Sequence, residues 1–173
     1  MSGLRPPVGP ADHRLGPDSA PVNLVEFGDL ECPHCRRAQP IVHEVRRRLG
    51  SKLQFVFRHF PLTTIHPHAE HAAEAAEAAA SQGKFWEMED AIFARQEALE
   101  DEDLVGRALA LGLDVEAFAR DLASGVHLER IRGDFRSGVR SGVNGTPTFF
   151  INGVRHDASW DLETLLEALA AAT

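Results

Sequence analysis

The sequence of 173 residues lacks long apolar runs, an excess of positive charge and more than two cysteines. No apolar run approaches the roughly 20 residues of a membrane-spanning helix, so we expect no membrane span. The formal net charge of -8 disfavours nucleic acid as a general partner, because a nucleic-acid surface requires clustered positive charge. Length and composition indicate one domain with a substantial core.

The first 20 residues also lack the apolar segment of a secretory signal peptide. We therefore expect a cytoplasmic protein, or a periplasmic or secreted one if a leader has been removed. Residues 1–21 are rich in proline, which breaks helices, and this predicts an extended arm. Within the arm, residues 13–16 could pair as a short edge strand.

The two cysteines occur together, in the motif Cys32-Pro33-His34-Cys35. Residues 22–28, just before the motif, are apolar enough to predict a buried strand covered on both faces. After the motif, apolar side chains recur with the spacing of an amphipathic helix that ends near Gly50: Ala38, Ile41, Val42, Val45 and Leu49. Cys32 is therefore predicted to lie where a strand ends and a helix begins.

That position gives the first cysteine a distinct chemistry. Unpaired N–H groups and the positive end of the helix dipole favour a thiolate, so we expect a lowered pKa for Cys32. Pro33 suits the first helical position because it has no N–H, and His34 can supply positive charge or a hydrogen bond near the sulfur. We predict that Cys32 is the exposed attacking sulfur and Cys35 the more buried resolving one. The other interpretations are two inert thiols or a structural disulfide, and a disulfide stabilises little across so short a loop.

Glu26 is an acidic residue inside the predicted apolar strand, and it has two interpretations. It could be a carboxylate at a sheet edge. It could also be a buried acid beneath the dithiol that exchanges protons with Cys35, since burial raises the pKa of a carboxyl into a range that suits proton transfer.

The rest of the chain alternates between strand and helix signals. A second strand is predicted over 52–60, parallel to the first, and five helical segments follow: 68–82, 84–96, 101–111, 114–123 and 127–141. Sheet signals return at 146–151, followed by the hairpin dipeptide Asn152-Gly153, a return strand over 154–156 and a last helix over 162–172. This order predicts an α/β fold.

Two motifs and the order of elements resemble those of a known family. The stretches 27–35 (FGDLECPHC) and 142–149 (GVNGTPTF) are closely similar to those of the DsbA-like thiol–disulfide oxidoreductases of the thioredoxin superfamily, and the likeness extends from Val22 to the C-terminus. The resemblance implies a thioredoxin-like fold with an inserted all-helical subdomain. Residues 1–21 would be the arm, 22–61 a βαβ half, 62–141 the helical insertion and 142–173 the C-terminal half.

The resemblance also implies roles for single residues. In the family the proline that matches Pro147 has a cis peptide bond and faces the dithiol. Here it would place the backbone of Thr146 beside Cys32, where a substrate strand can pair. An acid also occupies the position of Glu26 in the family, which favours proton exchange with Cys35 over the sheet-edge interpretation.

These features predict a protein disulfide oxidoreductase that exchanges disulfides with protein thiols, works with an unidentified redox partner and needs no organic cofactor or metal. The direction of exchange stays open, because a reducing cytoplasm would keep the pair as a dithiol. Two other classes are a non-catalytic thioredoxin-fold module for binding or redox sensing, and a zinc protein. A zinc site would combine cysteines with nearby histidines: Cys32, Cys35, His66, His68 and His71.

Overall fold

A mixed β-sheet runs through the molecule in the computed structural model, which describes residues 3–173. Within that range the strands are β1 (His13–Leu15), β2 (Val22–Gly28), β3 (Leu53–His59), β4 (Thr148–Ile151) and β5 (Val154–His156), in the order β1-β3-β2-β4-β5. The helices are α1 (Pro33–Leu49), α2 (Ala69–Ala80), α3 (Phe85–Ala94), α4 (Asp101–Ala110), α5 (Val115–Ser124), α6 (Leu128–Arg140) and α7 (Leu162–Ala171). A short 3-10 turn links α1 to β3.

The central strand is β2, which lies between β3 and β4. It pairs in parallel with β3, from Val22 opposite Leu53 to Gly28 opposite His59, and antiparallel with β4. A parallel pair requires a crossover connection, which α1 supplies. Apart from Asn23, every residue of β2 and β3 is buried, as expected for strands that are covered on both faces.

Helices cover both faces of the sheet. One face carries Leu24 and Phe57, in a core that also contains buried side chains of α1, α2, α3 and α7. The other face carries Phe27, whose ring packs edge-on against Phe60. The Phe60 ring in turn stacks on Phe135 of α6, with 4.3 Å between ring centroids. The sheet is therefore a buried middle layer, and its strand ends are where loops and side chains reach the surface.

Two of the helices between β3 and β4, α4 and α5, begin at acidic caps. Glu100 and Asp103 form a capping box at the start of α4, and the Asp114 carboxylate accepts a hydrogen bond from the Ala117 N–H at the start of α5. The first helix of this group, α2, consists largely of alanine and is buried along most of its length. Small side chains allow it to pack closely between the sheet and its neighbouring helices.

The predicted α/β fold with a helical insertion is confirmed, and element boundaries shift by only one or two residues. The predicted edge strand in the arm is β1, which pairs antiparallel with β3. The predicted hairpin is also present, with φ of 48° at Asn152 and 80° at Gly153, as a two-residue turn of this type requires. In the described part of the chain, no helix combines the length and the apolar character needed to cross a bilayer.

A buried ion pair holds the N-terminal arm against the sheet. Arg58 of β3 donates to both carboxylate oxygens of Asp12, at 2.8 and 3.0 Å, and to the carbonyl groups of Pro6 and Pro7. The two charged side chains are 3% and 9% exposed, respectively. Removing one partner of such a pair leaves an uncompensated buried charge, so the arm is an integral part of the folded structure.

Gly28, the last residue of β2, is required by close packing. A Cβ atom at this position would lie 2.4 Å from Cε2 of Phe57 and 3.2 Å from Oε1 of Glu26. Because Phe57 is fully buried, its ring has little room to move. We predict that Gly28→Ala lowers the free energy of unfolding by about 1–3 kcal/mol, measured by urea denaturation.

The matched control is Gly106→Ala in α4, where no heavy atom lies within 4 Å of the added Cβ. This variant should be as stable as the parent or slightly more stable, because alanine favours a helix. If Gly28→Ala unfolds at the same urea concentration as the parent, the packing around Phe57 is looser than described.

Candidate active site

The two cysteines lie at the start of α1, immediately after the loop that leaves β2. Cys32 is the N-cap residue, with an extended backbone, and Pro33 is the first helical residue. The Arg36 N–H donates to the Cys32 carbonyl at 3.1 Å and closes the first turn. A hydrogen bond between the Cys32 and Cys35 side chains brings the two sulfur atoms together, and both cysteines are free of disulfides. This is the placement that the strand–helix pattern predicts.

Cys32 is more buried than predicted. The residue is 3% exposed, against 0% for Cys35, so the prediction of an exposed Cys32 is wrong, although Cys35 is the deeper of the two. The reason lies in the loop before β4, whose Thr146 carbonyl is 3.7 Å from the Cys32 sulfur. Pro33 and His34 are exposed, so the reactive sulfur lies just beneath the surface.

The pKa of Cys32 is lowered to about 5. The largest cause is the hydrogen bond from the Cys35 thiol, which outweighs the opposing effect of burial. Contacts with Thr146 and with the backbone N–H groups of Cys35 and His34 lower the pKa further. The Thr146 hydroxyl is buried and has no other hydrogen-bond partner within residues 3–173, so it is available to the sulfur. At neutral pH, Cys32 is therefore a thiolate.

Glu26 lies beneath the dithiol, in the middle of the sheet. It is 2% exposed and stands between Phe57 of β3 and Phe149 of β4, so the sheet-edge interpretation is wrong. Burial raises the pKa of Glu26 to about 8, and the charge of Cys32 contributes to this rise. Burial also raises the pKa of Cys35, helped by its hydrogen bond to Cys32 and by the charges of Glu26 and Cys32. At neutral pH, the protonated carboxyl of Glu26 and the protonated thiol of Cys35 thus lie below the thiolate of Cys32.

The loop that precedes β4 faces the dithiol. Its Thr146–Pro147 peptide bond is cis. The Thr148 hydroxyl donates to the Gly145 carbonyl at 2.7 Å and braces the loop. Thr146 and Pro147 are half-buried and lie next to Cys32, so the structure brings together the residues that the two motifs contribute.

His34 acts on the sulfur through its backbone. Its N–H is one of the groups that lower the pKa of Cys32. The imidazole instead accepts a hydrogen bond at Nδ1 from the guanidinium of Arg37, on the next turn of α1. The His34 ring thus pairs with Arg37, while the backbone N–H of the same residue acts on the Cys32 sulfur.

Asp29 braces the loop under the cysteines, a role that sequence reasoning missed. Its buried carboxylate accepts hydrogen bonds from the backbone N–H groups of Glu31 (2.8 Å) and Leu62 (2.9 Å), and pairs with Nδ1 of His66 at 2.7 Å. The Asp29 N–H donates to the Cys35 sulfur at 3.4 Å. The available signal was an Asp in the loop just before the motif, because Asp side chains often bond to the backbone two residues on.

His66 adds a titratable group near the thiolate. Burial alone would lower the pKa of His66. The hydrogen bond to Asp29 and the charges of Asp29 and Cys32 outweigh burial and raise that pKa. A larger fraction of His66 is then cationic at neutral pH, and its charge favours the anionic form of Cys32.

The histidines considered for a zinc site are engaged with separate carboxylates. The pairs are His66 with Asp29, His68 with Glu31 and Glu100, and His71 with Glu74 and Asp101. Within residues 3–173, neither cysteine belongs to a group of side chains with metal-ligand spacing. The geometry thus provides no Cys₂His₂ site.

A different cluster does have metal-ligand spacing, with ligand atoms of His13, His59 and Glu77 within 4.8 Å of one another. The Nε2 atoms of His13 and His59 lie 2.5 and 3.1 Å from the same Glu77 oxygen, and Arg130 lies 3.7 Å from the other. Burial raises the pKa of Glu77, but the hydrogen bonds from the two histidines outweigh burial and lower the pKa below its ordinary value. The carboxylate is already compensated, so this is the arrangement of a hydrogen-bonded cluster that ties β1 to β3 and α2.

The chain matches the family described as Thioredoxin over residues 9–171. In structure it is similar to a thioredoxin-like oxidoreductase from Silicibacter pomeroyi, with a TM-score of 0.83 and 27% identity over 95% of this chain and 93% of that one. It is also similar to alpha-DsbA1 of Wolbachia pipientis, with a TM-score of 0.83 and 22% identity over 99% and 96% of the two chains. At 22% identity, the likeness to alpha-DsbA1 shows a shared fold and no more.

Among curated proteins, the chain is similar to Na(+)/H(+) antiporter NhaA 1 of Salinispora arenicola. The two are 47% identical over 170 residues, which cover 98% of this chain and 26% of the relative. The chain spans about a quarter of the length of the curated relatives it matches. The likeness therefore concerns one segment of those longer proteins.

We predict that the ultraviolet absorbance of the Cys32 thiolate in the reduced protein titrates with a pKa of about 5. Cys35→Ala should raise that pKa, because it removes the hydrogen bond that contributes most. The reduced protein should also lose stability relative to Cys32→Ser as pH falls from about 8.5 to about 5, since in that range the unfolded thiol takes up a proton while the folded Cys32 stays ionised. Titration of Cys32 near the ordinary thiol value of about 8.5 would contradict this account.

Proposed function

Because this chain belongs to the thioredoxin family and is a DsbA-like member of the superfamily, we propose that it exchanges disulfides with protein thiols through Cys32 and Cys35. The observation that carries the proposal is the pairing of a thiolate with a neutral thiol. Cys32, which lies just beneath the exposed residues Pro33 and His34, has a pKa of about 5. The pKa of the more deeply buried Cys35 is raised. Opposite pKa shifts in the two adjacent thiols support Cys32 as the sulfur that a substrate attacks.

In the oxidising direction, a substrate thiolate attacks the Cys32–Cys35 disulfide at Cys32. A bond forms between the substrate sulfur and Cys32, and Cys35 leaves with the electron pair. The departing Cys35 takes a proton, which protonated Glu26 is placed to supply. A second substrate thiol then displaces Cys32 as a thiolate, so the substrate is oxidised to a disulfide and the dithiol is reduced.

The low pKa of Cys32 favours this direction. Stabilising the thiolate stabilises the reduced protein, and a stable reduced form makes the disulfide form a stronger oxidant. The backbone beside Thr146 supports the proposal that an extended segment of a protein substrate docks there, because its carbonyl lies 3.7 Å from the reactive sulfur. The reduction potential of the pair, measured against a glutathione buffer, tests the direction.

A second candidate function is a redox-sensing module, and the match to longer relatives favours it. The matching segment makes up 26% of a protein named as an antiporter, which fits a chain of this kind acting as one module of a larger protein and reporting the state of Cys32 and Cys35 to its neighbours. Turnover separates the two functions. An oxidoreductase passes many equivalents through insulin or a dithiol peptide, whereas a sensor reacts once per chain.

We predict that Cys32→Ser abolishes exchange and that Cys35→Ser accumulates mixed disulfides with substrate proteins. The first variant lacks the attacking sulfur, and the second lacks the thiol that resolves the intermediate. Non-reducing gels and mass spectrometry of the trapped species provide the measurement. Equal trapping by both variants would show that the two roles are assigned wrongly.

Glu26→Gln should slow release of the mixed disulfide by Cys35 at least about tenfold, because an amide cannot accept the Cys35 proton. In the parent, the carboxylate fraction of Glu26 grows as pH rises, so the release rate should also rise. Its inflection should lie at or below about pH 8, since the Cys32 charge that raises the pKa is absent from the mixed disulfide. Stopped-flow kinetics across pH provides the measurement, and an unchanged profile in Glu26→Gln would remove Glu26 from the mechanism.

A further inference from the structure

A second buried carboxyl, Glu89 of α3, has no part in the chemistry described above. The residue is 3% exposed, and its Oε1 atom is buried without a hydrogen-bond partner within residues 3–173. Burying a polar atom without a partner costs free energy. Packing alone therefore does not account for a glutamate at this position.

Glu89 and Glu26 lie in the same layer of the molecule. Side chains two residues apart on a strand point to the same face, so Glu26 shares the face of Leu24. Leu24 belongs to a core cluster with Met88 and Ile92 of α3, the helix that carries Glu89. The two carboxyls thus face the space between the sheet and its covering helices.

The groups that act on Glu89 come from three elements. Burial is the largest cause that raises the pKa of Glu89, and the charges of Glu26 on β2 and of Asp90 on α3 raise it further. On α1, the charge of Arg46 and a hydrogen bond from Gln39 act in the opposite direction. The charge of ionised Glu26 thus favours the protonated form of Glu89, which can donate a proton from one oxygen and accept one at the other.

Polar groups lead from Glu89 to the surface between α1 and α3. Gln39, which bonds to Glu89, also donates to Oδ1 of Asp90 at 2.6 Å. Asp90 is exposed and lies 3.1 Å from Nε2 of His43. His43 and Asp90 line an open pocket of 340 Å³ together with two arginines. Solvent thus reaches Asp90, the residue next to Glu89.

We propose that Glu89 is the second carboxyl of a proton path that connects Glu26 to solvent at the α1–α3 surface. Glu89 then acts through Glu26 rather than on the sulfur atoms themselves. This inference deepens the proposed function and rests on it, because the protons concerned are those of Cys35.

Protons are conserved when Cys35 releases a substrate from its mixed disulfide with Cys32. Cys35 loses its proton to the Glu26 carboxylate and attacks Cys32, the Cys32–Cys35 bond forms, and the substrate sulfur leaves with the electron pair. Glu26 passes its proton to the unpartnered Oε1 of Glu89, and Glu89 releases the proton on its other oxygen towards Asp90 and solvent. One proton leaves the protein, and Glu26 is again a carboxylate.

The test uses Glu89→Gln, which keeps the shape of the side chain but cannot pass a proton, and Glu87→Gln, an exposed glutamate of the same helix, as the matched control. Release of a mixed disulfide between Cys32 and a peptide thiol is followed across pH, with an indicator dye that reports proton release to solvent. Glu89→Gln should slow both signals about tenfold and flatten the pH profile, whereas Glu87→Gln should match the parent. The double variant Glu26→Gln/Glu89→Gln should be as slow as Glu26→Gln alone.

The path would be overturned if Glu89→Gln kept the pH profile of the parent, or if the two rate losses were additive in the double variant. It would also be overturned if the rate of Glu89→Gln fell only in proportion to its thermal stability, with an unchanged pH profile. The last result would assign Glu89 a structural role.

An infrared titration of the reduced parent keeps this inference separate from the proposed function. The C=O band of protonated Glu89, identified by its disappearance in Glu89→Gln, should shift as Glu26 ionises near pH 8, since a new neighbouring charge polarises the neutral carboxyl. Absence of disulfide exchange in the parent would refute the proposed function. A Glu89 C=O band that does not shift as Glu26 ionises would refute the coupling between the two carboxyls, whatever the activity.

Discussion

A negative charge on one sulfur atom is stabilised by neutral donors, and the arrangement around the candidate site depends on it. Cys32 ends an extended segment and opens α1, so N–H groups of the first turn converge on its sulfur, and the thiol of Cys35 donates to it. These neutral donors contact the anion directly, so no counter-charge is buried against the sulfur, and the partly cationic His66 acts from its pair with Asp29. The same sulfur stays just beneath a surface formed by Pro33 and His34.

The cost of this arrangement lies below the surface, in acids that burial keeps protonated. Glu26 and Glu89 lie in the interior with raised pKa values, and the pKa of Cys35 is raised as well. Such groups destabilise a core compared with apolar residues of similar shape. Glu26 and Glu89 lie between the cysteine pair and the α1–α3 surface, which is the location that the proposed proton path requires.

Most of the fold could be predicted because its patterns are local. Apolar runs, helical spacing after Cys32, proline in the arm and the Asn152-Gly153 turn each act within a few residues, and every one corresponds to an observed element. The exposure of Cys32 was predicted wrongly because a loop more than a hundred residues later covers it. The contacts of Asp29 with Leu62 and His66 depend in the same way on how β3 and its following loop pack beside the motif.

The sequence alone determined the order of strands and helices, the position of the two cysteines at a helix start, and the likeness of two motifs to one family, because these depend on neighbouring residues. Only the tertiary structure decided that Glu26 is central rather than at an edge, that Asp29 braces the loop under the cysteines, and that Glu89 faces the same interior space as Glu26. The physical reason is that a pKa depends on every charge and donor within a few ångströms, and those neighbours come from distant parts of the chain.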